Sequence, residues 1–263
     1  MFARRVLLWL PLIASLLTVP ACIDSSGDQV VDFQAVASGP ADAVLGDPLS
    51  FQGAQGWAVT LTTARLHIGA LYLAENLPPS DAQPSCVLPG DYVAQVVQGR
   101  DIDLLSSEPQ AFPVLGHGTP LEAHAGQVWL TSDDVNLADV PTPPTVILRV
   151  LGSAQRGSEL RPFQAELTIA NNRVSSSAGE LTSSICNERI VSPLPTSIRV
   201  HGAGVLWLRV DPRLLFTNVD FGALEAQGDT FVFKDDSSDE PSEALYENLK
   251  QAGPYDFSWV DER

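Results

Sequence analysis

The sequence predicts an all-β protein, a single and mostly antiparallel β-sandwich or distorted barrel with one short helix near the C-terminus. Short runs rich in Val, Ile, Leu and aromatic residues recur along the chain, and each ends at Gly, Pro, Asn or Ser. Several of these runs alternate apolar and polar residues, which is typical of strands with one face in water. Helical periodicity is confined to one late stretch.

Composition sets the first limits on function. The chain has 263 residues, of which 44% are hydrophobic and 18% charged, so it can bury a core and is not a disordered protein. Its 15 basic and 32 acidic side chains give a formal net charge of −17. A surface of that sign repels phosphate, which excludes a nucleic-acid partner.

The first 22 residues carry a secretion signal. Two arginines, Arg4 and Arg5, precede an apolar run from 6 to 19 that is too short to span a bilayer as a helix. The run closes on Val19-Pro20-Ala21-Cys22.

This ending resembles the lipobox of bacterial lipoproteins, in which an aliphatic residue stands three places before a cysteine and a small residue just before it. The resemblance implies a signal peptide over 1–21 and a lipidated tether over 22–29 that begins with acylated Cys22. The strand patterns predict a β domain over 30–263. Because Ile23 rather than aspartate follows Cys22, the resemblance further implies the outer membrane, with the domain facing the periplasm or the cell surface. The alternative is an ordinary cleaved signal in which Cys22 is incidental.

Removal of the signal leaves 13 basic and 32 acidic side chains, a net charge of −19. We therefore expect the acyl chains rather than a basic face to hold the domain at the bilayer. The lipid bilayer and an envelope protein are the expected partners, and a charged partner would be cationic.

Cys86 and Cys186 remain once Cys22 is assigned to lipid. In an oxidising compartment such an even pair is expected to form a disulfide. The alternative is two buried free thiols.

The strand signal recurs about nine times. The predicted strands lie near Val30–Val36, Trp57–Leu73, Tyr92–Gln98, Gln127–Thr131, Thr145–Leu151, Pro162–Ile169, Ser197–His201, Val205–Val210 and Thr230–Lys234. Alternation at Tyr255, Phe257 and Trp259 indicates a further, final strand.

Alternation also predicts faces and turns. In the long second run, one face is expected to carry Leu66, Ile68, Ala70 and Tyr72, and the other Arg65, His67 and Gly69. Gly202-Ala203-Gly204 predicts a tight hairpin, and Ser153–Glu159 a longer hairpin loop.

Two segments have helical signals. Asp211 and Pro212 could cap and begin one turn that ends at Phe216. The stretch 241–251 follows Ser238-Asp239-Glu240 and ends before Gly253, which predicts the short helix. Pro141–Pro144 leaves open an alternative division into two small β domains.

The sequence contains no nucleophile elbow, zinc-hydrolase motif, phosphate-binding glycine loop or paired-cysteine metal motif. We therefore expect a non-catalytic protein without a cofactor.

Three alternative binding sites remain open. The histidines could converge on zinc or copper as imidazole ligands; they are His67, His117, His124 and His201. We place His117 and His124 in or beside loops. An acidic cluster could bind calcium, although it lacks the spacing of the known calcium loop; it comprises Asp235, Asp236, Asp239, Glu240 and Glu243.

Aromatic residues could instead form a sugar-binding platform. The candidates are Trp57, Trp129, Trp207, Trp259, Tyr72 and Tyr255. The sequence therefore indicates a binding or structural module of the cell envelope, with a periplasmic metal-binding protein and a carbohydrate-binding accessory domain as alternatives.

Overall fold

The computed structural model describes residues 30–76, 92–132, 145–168 and 190–261. These residues form two β-sheets, one α-helix and three short 3₁₀ helices, which confirms the predicted all-β, mostly antiparallel fold. Cys22, Cys86, Cys186 and Pro141–Pro144 lie outside the described residues.

Sixteen strands are described. In chain order they are β1 Val31–Ser38, β2 Leu49–Gln52, β3 Ala58–Ile68, β4 Ala70–Ala74, β5 Tyr92–Val96, β6 Arg100–Asp103, β7 Gln110–Ala111, β8 Gly116–Gly118, β9 Glu122–Trp129, β10 Val146–Arg156, β11 Glu159–Thr168, β12 Ile190–Arg199, β13 Gly204–Val210, β14 Glu225–Gln227, β15 Thr230–Phe233 and β16 Tyr255–Asp261. The helices are the 3₁₀ helices Ala54–Gly56, Pro212–Phe216 and Phe221–Ala223 and the α-helix α1 Glu240–Lys250.

Nine strands form the larger sheet, in the spatial order β12-β9-β4-β5-β8-β1-β13-β16, with β7 beside β1. Its pairs are antiparallel except β1 with β13, which run parallel. The sheet curls so far that its two outer strands, β12 and β16, come to lie near each other without forming a ladder. It is thus an almost closed barrel with one open seam.

Seven strands form the second sheet, in the order β14-β15-β11-β10-β3-β2, with β6 also beside β3. Its longest pairs, β3 with β10 and β10 with β11, are antiparallel, whereas β11 and β15 run parallel.

One apolar core joins the two sheets and includes residues on both sides of 133–144. Its aromatic centre packs Phe163 against Phe221, Phe216 and Phe233 at ring-centroid distances of 5.0 to 5.8 Å. Trp57 beside this group is fully buried. Burial of such rings is the largest contribution of single side chains to the core.

The chain passes from one sheet to the other at Gly69, where the sequence predicted one continuous strand. β3 belongs to the seven-stranded sheet and β4 to the nine-stranded sheet. A Cβ at position 69 would lie 2.2 Å from Thr131 Oγ1, so only glycine fits this crossing.

This crossing corrects the predicted faces. Leu66 and Ile68 lie in the main core as expected, but Ala70 and Tyr72 do not. They pack on the opposite face of the nine-stranded sheet, in a second apolar cluster with Trp129.

Both hairpin predictions need correction. The strands on either side of Gly202–Gly204 do not pair with each other, because β12 pairs with β9 and β13 with β1 and β16. The loop predicted over Ser153–Glu159 is instead strand on both sides of a two-residue turn at Gly157 and Ser158, with Gly157 at φ +62°.

The helical predictions are confirmed. Asp211 accepts a hydrogen bond from the backbone N–H of Arg213 at the start of the 3₁₀ helix, and Asp239 accepts one from Ser242 N–H at the start of α1. No helix in the described ranges is both long and apolar enough to span a bilayer.

Candidate functional site

A cleft of about 540 Å³ follows the open seam of the nine-stranded sheet. That volume falls within the range of ligand pockets. Residues of β12 form one wall and residues of β16 the other, with His201 at one end. The cleft exists because the sheet brings two outer strands together without joining them.

Trp259 lies in the cleft and is held in place from several sides. Its ring centroid lies 5.2 Å from that of Phe33 and 5.3 Å from that of His201. A Cβ at position 204 would lie 2.2 Å from Trp259 Nε1, so Gly204 is needed for the indole to occupy this place. The ring is partly buried and forms a fixed apolar part of the cleft.

His201 is held by two oxygen atoms. Its Nε2 lies 3.0 Å from Asp261 Oδ1 and its Nδ1 lies 2.9 Å from the carbonyl oxygen of Gly202. Both ring nitrogens of His201 thus face oxygen atoms of the chain itself.

Charges divide unequally between the two walls. Asp256 and Asp261 lie on β16, a strand that contains no basic residue, whereas Arg199 lies on β12. Asp256 and Asp261 are exposed. Each of these carboxylates has a basic neighbour: Asp261 faces His201, and Asp256 is the register partner of Arg209 on β13.

The other sequence-predicted histidines lie elsewhere. His67 on β3 faces Asp101 on β6, and His117 on β8 faces Asp32 on β1, each with an Nδ1–Oδ1 distance of 2.7 Å. His117 therefore lies in a strand, not in the predicted loop.

His124 is exposed on β9 and likewise lies in a strand. In the described part of the chain, no group of three or more His, Cys, Asp or Glu side chains is placed to hold a metal ion. The structure does not gather the four candidate ligands, because His67 belongs to the seven-stranded sheet and the others to the opposite side of the core.

The acidic cluster serves local structure. Asp239 caps α1, and Asp235 accepts hydrogen bonds of 2.7 Å from the backbone N–H and the hydroxyl of Thr168. Hydrogen bonds from Ser238 lower the pKa of Asp236. These contacts engage three of the five carboxylates, those of Asp235, Asp236 and Asp239.

The aromatic candidates do not form a platform. Trp57 and Tyr255 are buried, and Trp207 donates a 3.0 Å hydrogen bond from Nε1 to Ser38 Oγ. Tyr72 packs between Tyr92 and Trp129, at ring-centroid distances of 4.5 and 4.6 Å.

Burial, with the neighbouring Tyr72 as a smaller cause, raises the pKa of Tyr92 to about 12. Of the six aromatic candidates, the seam cleft contains only Trp259.

A larger cleft of about 780 Å³ lies against the seven-stranded sheet. Both basic residues of its lining are ion-paired: Arg149 pairs with Glu166 at 3.0 Å, and Lys234 pairs with Glu225 and Asp239. The seam differs because, among the described residues, neither of its two wall strands has a paired strand on the side that faces the cleft, and we take it as the candidate site.

Sequence reasoning found His201 and Trp259 but missed Arg199, Asp256 and Asp261. Their proximity depends on which strands lie next to each other at the seam, and strand order is not encoded by local periodicity. Pro193 and Pro195 were the available signal, because proline within a strand marks an edge.

Comparisons with known proteins give limited information. No protein-family model matches the chain, and no curated protein sequence matches it. Among solved structures, MbnP from Methylosinus trichosporium is similar over 88% of this chain and 98% of its own, with 13% sequence identity and a TM-score of 0.39. The chemistry of the seam is accordingly argued from its own residues.

Proposed function

We propose that this chain is a lipid-anchored protein of the bacterial cell envelope and acts there as a non-catalytic binding module through the seam cleft. The observation that carries the proposal is the cleft between β12 and β16, two outer strands that face each other without pairing. Unpaired strand edges are surfaces to which other chains bind.

The N-terminal sequence supports the anchor. Cys22 would carry the acyl chains, and 22–29 would form a tether of eight residues before β1 begins at Val31. Such a tether spans at most about 28 Å when extended, which keeps the domain close to its membrane.

The surface charge supports attachment by lipid alone. A mature chain of net charge −19 is repelled by anionic lipid headgroups, so the protein surface adds no electrostatic attraction to the bilayer. The acyl chains therefore supply the anchoring free energy, about 0.8 kcal/mol for each buried methylene.

Membrane fractionation tests the anchor. We expect the wild-type protein in the detergent-soluble membrane fraction as a processed chain, and the Cys22→Ser variant either released as a processed chain or retained with its uncleaved leader, which the mass of the chain distinguishes. Ser25→Ala, three residues further along the tether, is the matched control and should fractionate as wild type. Equal membrane association of wild type and of a Cys22→Ser chain that has lost its leader would overturn the proposed anchor.

A further inference from the structure

His201 and Asp261 connect the two strands of the seam. β12 and β16 come close to each other without forming a ladder, so side-chain contacts decide how firmly they are held together. His201 follows the end of β12 by two residues, and Asp261 is the last residue of β16. His201 Nε2 lies 3.0 Å from Asp261 Oδ1, so the pair spans the seam at one end of the cleft.

The contacts of His201 require two N–H groups. Its Nδ1 lies 2.9 Å from the carbonyl oxygen of Gly202 and its Nε2 faces the carboxylate of Asp261, and both oxygens are hydrogen-bond acceptors. A neutral imidazole carries a single N–H, so one of its nitrogens would direct a lone pair at an oxygen. Only the cationic ring, with hydrogen on both nitrogens, satisfies both contacts.

His117 provides a contrast. Its Nδ1 lies 2.7 Å from Asp32 Oδ1, and among the described residues it has this one acceptor. A neutral ring with hydrogen on Nδ1 satisfies that contact. His117 and Asp32 are also register partners in the ladder between β8 and β1, so these strands do not depend on the pair. His201 differs because it needs a second proton and connects strands that no ladder joins in the described part of the chain.

Trp259 lies beside the His201–Asp261 pair. The ring centroids of His201 and Trp259 are 5.3 Å apart, a distance at which a cation is attracted to an indole. Trp259 Nε1 is buried and has no hydrogen-bond partner among the described residues. A buried donor without a partner costs free energy, which favours a state in which water reaches it. The cationic ring of His201 thus stabilises a closed arrangement that the indole N–H opposes.

The remaining charges around the seam are mostly arranged in opposite pairs. Glu122 on β9 and Arg199 on β12 are register partners, as are Arg209 on β13 and Asp256 on β16. His124 also lies on β9, which is not a wall of the cleft. Histidine is the side chain that ordinarily changes charge between about pH 5 and 8. Within the walls of the cleft, the charge therefore changes at His201 in this pH range.

We propose that His201 is a pH-sensitive latch that closes one end of the seam cleft when its ring is doubly protonated. Release of one proton to water removes the charge of the ring, so in either neutral form the charge attraction to Asp261 across the seam is lost. β12 and β16 are then held less firmly at this end, and Trp259 becomes more accessible. This inference concerns the regulation of the seam cleft and rests on the binding function proposed for it.

The exposure of Trp259 to solvent reports the state of the latch. Fluorotryptophan is incorporated into the mature, lipidated chain in detergent, and the Trp259→Phe variant identifies the fluorine NMR signal of Trp259. Broadening of that signal by a neutral, water-soluble nitroxide measures its exposure. Since an exposed ion pair shifts such an equilibrium only modestly, we expect the broadening to increase about threefold from about pH 5 to about pH 8.

Substitution of the pair supplies the matched test. His201→Gln and Asp261→Asn each remove the ion pair, so the broadening of the Trp259 signal should be the same at both pH values. His117→Gln removes the His117–Asp32 pair instead and should behave as wild type. Unchanged broadening in the wild type, or the same pH-dependent change in His201→Gln, would overturn the inference.

The signals of the buried Trp57 and Trp129 report whether each variant keeps its fold. Because the measurement uses no binding partner, its failure leaves the proposed binding function standing, and Cys22→Ser tests the anchor separately. Failure of the latch and failure of the proposed function are therefore distinguishable.

Discussion

Gly69 lies where the chain changes sheets, at a contact too close for a side chain. A Cβ there would lie 2.2 Å from Thr131 Oγ1 and 2.6 Å from the backbone oxygens of Thr131 and Ser132. Backbone atoms cannot move aside without disturbing the strand end next to β4. The alternation of the sequence runs unbroken through this position, so periodicity alone predicted one strand.

We expect Gly69→Ala to lower the free energy of unfolding by about 2 kcal/mol, since overpacking of a tight contact costs about 1 to 3 kcal/mol. Urea unfolding measures the loss. Gly253→Ala is the matched control, because a Cβ at 253 meets nothing within 4 Å. Equal stability of the two variants would show that the crossing tolerates a side chain.

Asp42 illustrates a residue whose role depends on pH. Arg213 Nη1 lies 2.8 Å from Asp42 Oδ2, and this hydrogen bond lowers the pKa of Asp42. The pKa of Asp42 is lower in the folded than in the unfolded state. The ion pair therefore stabilises the fold at pH values above the pKa that Asp42 has in the unfolded state. That stabilisation is lost as the pH falls through the folded pKa.

We therefore expect Asp42→Asn to lower the free energy of unfolding by about 0.5 kcal/mol at neutral pH, the size typical of an exposed ion pair. The difference from wild type should vanish once the pH is well below about 3.9. Asp47→Asn, in the same loop, is the control for a change of charge alone. A difference that persists unchanged in acid would contradict the role of the ion pair.

Elements held by local contacts were the predictable ones. α1 and the 3₁₀ helix 212–216 each carry a capping aspartate and a proline at the start, signals that lie within a few residues. Strands with clear alternation, such as β11 and β16, were found for the same reason. β7 and β8 have two and three residues, too few for any periodicity.

Long-range pairing was not predictable. Gly202–Gly204 has the composition of a hairpin turn, but the strands it connects take different neighbours. Gly204 permits the close contact with Trp259, which is a tertiary requirement. The candidate site depends on this pairing and was therefore only partly foreseen, through His201 and Trp259.

The N-cap of α1 provides a test of a secondary-structure element that is held by local contacts. Asp239 accepts a 3.0 Å hydrogen bond from Ser242 N–H and lies 3.3 Å from Lys234 Nζ. We expect Asp239→Ala to lower the free energy of unfolding by about 1 kcal/mol. Asp239→Asn keeps the cap without the charge and should lose less than half as much in the same urea measurement. An equal loss in both variants would assign the effect to the ion pair instead.

For the whole molecule, the predicted disulfide remains compatible with the sheet. Tyr92 and Ile190 lie three strand spacings apart across the sheet and four residues apart along it, which places them about 20 Å from each other. Cys86 precedes Tyr92 by six residues and Cys186 precedes Ile190 by four, a combined reach of about 33 Å. The chain is long enough for the two sulfurs to meet.

If they pair, Cys86→Ser and Cys186→Ser should each lower the free energy of unfolding by about 4 kcal/mol, because each opens the same loop of about 100 residues. The double variant should lose no more than either single variant. Cys22→Ser serves as the control and should not change the stability of the domain. Additive losses in the double variant would instead indicate two independent thiols.

The proposed acylation of Cys22 would fix the protein in the cell envelope, and its proposed binding role depends on that location. The direct test is the mass of the N-terminal peptide of the protein purified from the envelope of the cell that makes it. We predict a chain that begins at Cys22 and carries acyl chains on that residue. A chain that begins elsewhere, or an unmodified thiol at Cys22, would contradict the account.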